Sequence, residues 1–210
     1  MTTKERYNAV IEWFSKNMPD AKSELNYENA FQLLIAVMLS AQCTDKRVNM
    51  VTPKLFRDFP TPETLAKASQ DIVFQYIKSI SYPNAKAKHL VEMAKMLVND
   101  FDSKVPNNRE DLEKLPGVGR KTANVMLIVI FNEPAMPVDT HVFRVANRIG
   151  LTNHSRNVLT TEKTLVKNFP KDMLNLAHHW LILHGRYTCT AIKPKCHQCG
   201  ISHCCKFVNK

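Results

Sequence analysis

No run of this chain approaches the roughly 18 consecutive apolar residues of a membrane span, and its opening, MTTKERYNAVIEWF, lacks the uninterrupted apolar core of a signal peptide. Cysteine is almost missing from most of the length. Of six, only Cys43 precedes Cys189, which excludes a disulfide framework spread through a secreted fold and leaves a reducing cytoplasm as the simplest address. Low-complexity tracts and internal repeats are absent, and no segment sustains the period-two alternation of a half-buried strand. Acidic residues are outnumbered, 19 Asp+Glu against 29 Lys+Arg, giving a formal charge of +10 and a pI near 9.4. That excess suits a polyanionic partner such as nucleic acid, although charge alone fits equally a basic protein that binds nothing specific.

What is present reads as helix. With 44% hydrophobic residues in 210, the chain can pack one large domain or two small ones without disulfides. Helices are expected where Thr3 precedes Val10, Ile11 and Phe14, where Asn26 or Asn29 opens AFQLLIAVML, after Thr44 and Asp45, after Thr61 with Pro62, and after Ser69. From Asn84 an amphipathic pattern places Leu90, Met93, Met96 and Leu97 on one face and lysines on the other. Further helices are expected at about 108–114, 120–131, 139–149, 158–168 and 171–187. The fold class is therefore all-α, with Pro134 and Pro137 marking the best candidate boundary.

Three stretches carry chemistry. In LPGVGRKTANVM, Gly117 and Gly119 punctuate a tight helical hairpin and leave backbone amides bare at the start of the next helix, where the dipole favours a phosphate oxygen. A plain turn without a ligand gives the same pattern. Lys121 is the unusual residue. It lies in a first turn, where the helix dipole disfavours a cation, and just before an apolar run. Desolvation and the dipole should lower its pKa, and a fall from about 10.4 to about 8 would raise the neutral fraction roughly 250-fold, costing about 3 kcal/mol. That is one route to an amine nucleophile; a lysine snorkelling to solvent or phosphate is the alternative.

In MPVDTHVFRVANRIG, Asp139 stands at the N-cap of a new helix. Capping by itself accounts for it, but a rigidly held carboxylate is also suited to catalysis, and His141 is a candidate to orient it. The tail then reads Cys189-x6-Cys196-x2-Cys199-x5-Cys205, with Cys204 left over. The compact spacing fits a cubane cluster better than separated zinc knuckles, and zinc stays open on composition alone. Lys193 and Lys195 flank Pro194 between the first two ligands, a rigid pair suited to phosphate or simply a solvated loop.

Taken together, the hairpin, VDTH at 138–141 and the cysteine spacing resemble the endonuclease III family of helix-hairpin-helix DNA glycosylases. MLSAQCTD at 38–45 and HHWLILHGRYTC at 178–189 extend the likeness over nearly the whole chain. The resemblance implies two helical domains flanking a DNA-binding cleft. One would be a six-helix barrel over 23–134 containing the hairpin at about 108–131; the other, discontinuous, would combine 1–22 with 135–210 and carry an iron-sulfur loop at 189–205. It implies that Lys121 attacks C1′ of a damaged nucleotide with Asp139 assisting, and that Cys189, Cys196, Cys199 and Cys205 hold a 4Fe-4S cluster. Gln42 would fill the gap left by the flipped nucleotide, and Gly117 and Gly119 would hold the backbone.

Retention of the lysine and of the cysteine loop separates the chain from the adenine and 8-oxoguanine branches. The implied activity is that of a bifunctional glycosylase/AP lyase acting on oxidised pyrimidines such as thymine glycol in double-stranded DNA, a monomer working in the bacterial cytoplasm on the nucleoid. Three positions depart from the family pattern. Ser81, Tyr82 and Pro83 replace a glycine and apolar wedge, with Tyr82 the candidate wedge or a local packing residue; Ile192 stands where a basic residue is common; and Cys204 adjoins Cys205. A DNA-binding scaffold that had lost catalysis would be expected to lack Lys121 or Asp139, and both are present.

Overall fold

A computed structural model of the chain describes residues 1–209. Among them there is no strand, so the all-α expectation holds, and no helix is long and apolar enough to cross a membrane. The chain divides into two compact units, one of Ser23–Phe131 and one in which Met1–Lys22 joins Asn132–Lys210.

The contiguous unit is built around α2 (Ala30–Ser40), in which every residue from Phe31 to Leu39 is buried. A helix apolar on all sides has to be surrounded. α2 packs against α3 (Asp45–Asp58), α6 (Pro83–Asp100) and α8 (Arg120–Val129), while α6 covers α4 (Pro62–Ala66) and α5 (Gln70–Ile77), and α7 (Arg109–Lys114) pairs with α8. Local chemistry sets most of the starts. Asn29, Thr44, Thr61, Ser69 and Asn108 each accept a first-turn amide with the side chain, which satisfies one donor that the helix itself leaves unpaired. α6 differs: it begins one residue before Asn84, and its cap, Tyr82, is left-handed (φ 56°) with no side-chain cap bond.

In the discontinuous unit, α1 (Thr3–Asn17) is capped by Thr2, not preceded by Thr3 as expected, because Glu5 at the third position completes a reciprocal capping box with Thr2. α9 (Thr140–Ile149) packs against α10 (Val158–Asn168) and α11 (Leu174–Tyr187), which is entered through a 3-10 turn at Lys171–Met173. Three long-range ties fix α1 to the late chain. Trp180 stacks on Phe14 at 5.6 Å and donates Nε1–H to the Met18 carbonyl (2.8 Å); the Tyr7 hydroxyl donates to the Leu151 carbonyl (3.1 Å); and Arg6 Nε donates to the Cys204 carbonyl (2.8 Å).

Candidate functional site

In the contiguous unit the residues of LPGVGRK divide by direction. Leu112, Leu115 and Val118 are buried and anchor the hairpin, whereas Arg120 and Lys121 are exposed. Gly117 sits at φ +78°, and a Cβ there would come within 2.9 Å of His89 and 3.0 Å of Met38. It is required both by conformation and by close packing. Gly119 is not: its φ of −99° suits any residue, and an added Cβ would meet nothing within 4 Å. Its value is openness. As the N-cap of α8 it contributes no side-chain bond, so nothing on the cap residue takes up the first-turn amides.

Lys121 occupies the second position of α8. The desolvation expected for it is not found, because the side chain is exposed; the buried run of the helix begins two residues later, at Ala123. Behind the hairpin, Arg109 at the start of α7 donates through Nε (3.1 Å) and Nη2 (2.9 Å) to the Asn124 side-chain oxygen, clamping α7 to α8.

Gln42 and Tyr82 are exposed residues on two loops of the same unit, each left-handed at φ 55° and 56°. The loops are brought together by Ser81, whose hydroxyl donates to the Gln42 carbonyl at 2.8 Å. Nothing in the local sequence marks that contact, since the partners are 39 positions apart.

In the discontinuous unit, Asp139 is half-buried and caps α9, its Oδ1 accepting the Val142 N–H at 2.8 Å. The cap uses one carboxylate oxygen and fixes the plane of the other. His141 does not orient Asp139 as expected; its Nδ1 lies 3.2 Å from Arg144 Nη2, and its Cβ packs over Gly185. Arg144 also donates to the carbonyls of Gly185 (2.9 Å) and Cys189 (3.2 Å). One turn on, Arg148 donates to Thr190 and Ala191 carbonyls (2.7 and 2.9 Å) and reaches the Cys189 sulfur at 3.6 Å. These two arginines, spaced four apart on α9, brace the loop after α11 and escaped the sequence reading.

Cys189, Cys196, Cys199 and Cys205 all line one pocket, together with Ile149, Ile201 and Phe207. Cys204 does not. Its buried thiol donates to the Ile201 carbonyl at 3.3 Å, so of the adjacent pair it is Cys205 that lines the pocket. Burial pushes the Cys199 and Cys205 thiols up, so a soft, positively charged group is needed to hold them as thiolates. His184 lines the same pocket with Nε2 3.6 Å from the Cys199 sulfur; burial holds its pKa down at about 4, so the imidazole is neutral. Among the described residues no three His, Cys, Asp or Glu side chains converge tightly enough for one metal ion. A tetrahedral zinc with Zn–S of about 2.3 Å would draw its sulfurs to within about 4 Å of one another. Four thiols ringing a cavity suit a larger polynuclear group.

Within the loop, Lys193 (φ 53°) and Lys195 are exposed and held by backbone ties, Thr190 Oγ1 donating to the Ile192 and Lys193 carbonyls and Lys195 N–H to the Thr188 carbonyl. Gly200 faces Trp13 so closely that a Cβ would fall 2.2 Å from the indole ring.

Residues 35–171 match the model of the HhH-GPD superfamily of base excision DNA repair proteins. The chain is 50% identical over 202 residues to endonuclease III of Rickettsia felis, covering 96% of this chain and 94% of that one, and 45% identical over 201 residues to endonuclease III of Escherichia coli, covering 96% and 95%. Among solved structures it superposes on a trapped endonuclease III–DNA covalent intermediate with a TM-score of 0.93 at 43% identity, covering 100% of this chain and 98% of that one. A thermostable thymine-DNA glycosylase, 23% identical with a TM-score of 0.86 and coverage of 99% and 96%, shares the fold.

Proposed function

Since the chain belongs to the endonuclease III family within the HhH-GPD superfamily, and so is a DNA glycosylase with AP lyase activity, we propose that it excises oxidised pyrimidines through covalent attack by Lys121. The carrying observation is an exposed Lys121 in the first turn of α8, directly after the open cap at Gly119. Amides of that turn grip the backbone without reading sequence, and the lysine is delivered beside the sugar. Base extrusion costs a few kcal/mol, less for a damaged base that stacks poorly, and Gln42 and Tyr82 fill the space vacated.

Neutral Lys121 then forms the N–C1′ bond as the glycosidic bond breaks and the base departs with the electron pair. Asp139 stabilises positive charge growing at C1′ and accepts the lysine proton. Ring opening yields an imine that acidifies the 2′ proton; its loss expels the 3′ phosphate by β-elimination, and hydrolysis of the imine returns the amine. A dipole-biased, exposed lysine that becomes covered by DNA acquires its desolvation from the substrate, not from the protein.

Cys189, Cys196, Cys199 and Cys205, all lining one pocket, fit a 4Fe-4S cluster in donor type and number. When bound, such a cluster supplies four iron–thiolate bonds tying the loop to the end of α11; no step of the excision passes through it. Lys193 and Lys195, braced on that loop, contact phosphates. The site of action is the bacterial cytoplasm, on the nucleoid, by a monomer.

Borohydride trapping on a duplex with one thymine glycol tests the chemistry. The native protein should give a covalent complex and Lys121→Gln none, with the mutant's thermal midpoint unchanged because the residue is exposed. A trapped complex that survives the substitution would assign the nucleophile elsewhere.

A further inference from the structure

Lys86 lies in the first turn of α6, the end of a helix that disfavours a cation, and yet it is only 9% exposed. A surface lysine has no reason to be there. Its ammonium points instead at the opposite end of another helix: Nζ donates to the Leu39 carbonyl at 2.8 Å and to the Ala41 carbonyl at 2.6 Å, the last acceptors of α2. Those carbonyls have no partners inside α2 and carry the negative end of its dipole. The next residue along is Gln42. On the other side, the Lys86 backbone N–H donates to the Tyr82 carbonyl at 3.2 Å.

Both loops need such support. Gln42 and Tyr82 are in the left-handed region that non-glycine residues rarely occupy, and a side chain 65% exposed, as that of Tyr82 is, has little packing of its own to hold it there. Four hydrogen bonds fix the two backbones: two from the Lys86 side chain to the end of α2, one from its backbone N–H to the Tyr82 carbonyl as any residue there would make, and one from Ser81 Oγ to the Gln42 carbonyl.

We propose that Lys86 is the positioning residue of the duplex-penetrating apparatus: it sets the Gln42 and Tyr82 loops in advance, so that base extrusion does not have to order them. The inference rests on the reading that these two side chains enter the duplex. Its particular consequence is selectivity. Ordering the penetrating loops matters where a base must be unstacked and matters little at a preformed abasic site, which has none.

The test uses the cluster-loaded full chain and single-turnover rates on two duplexes identical but for thymine glycol or an abasic site at one position. Lys86→Met should slow thymine glycol release by about tenfold or more and leave abasic-site cleavage within about threefold; Lys86→Arg, which keeps a cation facing the carbonyls, should recover part of the loss. Amide hydrogen exchange over 40–43 and 81–83 should quicken in Lys86→Met. Gln42→Ala and Tyr82→Ala are run beside it. Equal slowing on both duplexes by Lys86→Met would reduce the residue to general scaffolding and overturn the proposal. Selective loss in Gln42→Ala and Tyr82→Ala without it in Lys86→Met would overturn the positioning role while sparing the penetrating one; no selective loss in Gln42→Ala or Tyr82→Ala would remove the premise and the proposal together. Should Lys86→Met fail to fold, Lys86→Gln, which keeps a shorter donor without the charge, carries the same comparison with the same expected selectivity.

Discussion

Asparagine in place of Gly119 should strengthen the fold and weaken the grip on DNA, a pairing that no purely structural role for the turn produces. At φ −99° and ψ 176° the cap conformation suits any residue, and a Cβ there meets nothing within 4 Å. Asn29, Asn108 and Asn157 already cap α2, α7 and α10 by accepting first-turn amides at 3.0, 2.9 and 2.8 Å. The same bond at α8 should add a few tenths of a kcal/mol, raising the thermal midpoint by about 1 °C for a chain of this size. The amides so occupied are those offered to phosphate. Losing one hydrogen bond to a charged oxygen removes about 1.5–3 kcal/mol, which is about a 10–150-fold rise in Kd. Fluorescence anisotropy on a duplex with a stable abasic-site analogue, at fixed salt, reads the second effect and a thermal melt the first. Gly117→Ala is the contrast: with φ +78° and neighbours at 2.9–3.0 Å, it should lose about 1–3 kcal/mol of stability and weaken binding through misfolding of the turn. A Gly119→Asn protein that melts higher and binds DNA as tightly as before would refute the assignment of the hairpin amides to phosphate.

The carboxylate offers a similar separation: Asp139→Asn should preserve the cap on Val142 and the thermal midpoint while abolishing most turnover, whereas Asp139→Ala should lose turnover and about 1 kcal/mol of stability as well, both checked by melts beside single-turnover rates. Cys205→Ser should purify with its iron content and visible absorbance largely lost, while Cys204→Ser, whose thiol faces the Ile201 carbonyl and not the pocket, should keep both; iron per chain decides. Burial and the nearby Arg186 hold the His179 pKa down to about 4. An unfolded chain therefore binds a proton there that the folded one refuses, so this stability is intact above about pH 6.5 and is lost as pH falls towards 4, by up to about 3 kcal/mol. Denaturant midpoints across that window should slope less in His179→Gln than in the native protein.

Caps were the legible part of the fold. Asn29, Thr44, Thr61, Ser69 and Asp139 act on amides three residues ahead, so composition and spacing suffice to find them. The misses share a different origin. Thr2 was overlooked for Thr3 because the deciding partner, Glu5, had not been paired with it. The left-handed start of α6 depends on the contact between Ser81 and Gln42, and the value of Lys86 on acceptors 45 and 47 positions away. At the site, residue types and their intervals drew out Lys121, Asp139 and the late cysteines as candidates, while their roles come from the family resemblance. Direction was not legible: that Lys121 is exposed, that Cys204 turns from the pocket and that His141 serves Arg144 follow from helix packing, which no local pattern encodes.

The ties from α1 and its cap Met18 to Leu151, Trp180 and Cys204 impose an order of events during synthesis. Residues 23–131 form a unit complete in itself and have everything they need once they leave the ribosome. The first helix does not: Val10 and Phe14, fully buried in the finished protein, stay uncovered until Trp180 and the residues around it have been made. At about 5–20 residues per second the wait is on the order of 10–40 s. The cysteine loop emerges later still than Trp180, and Cys204 holds Arg6 through its backbone. Ordering of the cysteine loop and capture of the first helix are therefore linked, and a chain in which neither has happened carries an uncovered apolar helix that quality-control machinery is equipped to recognise.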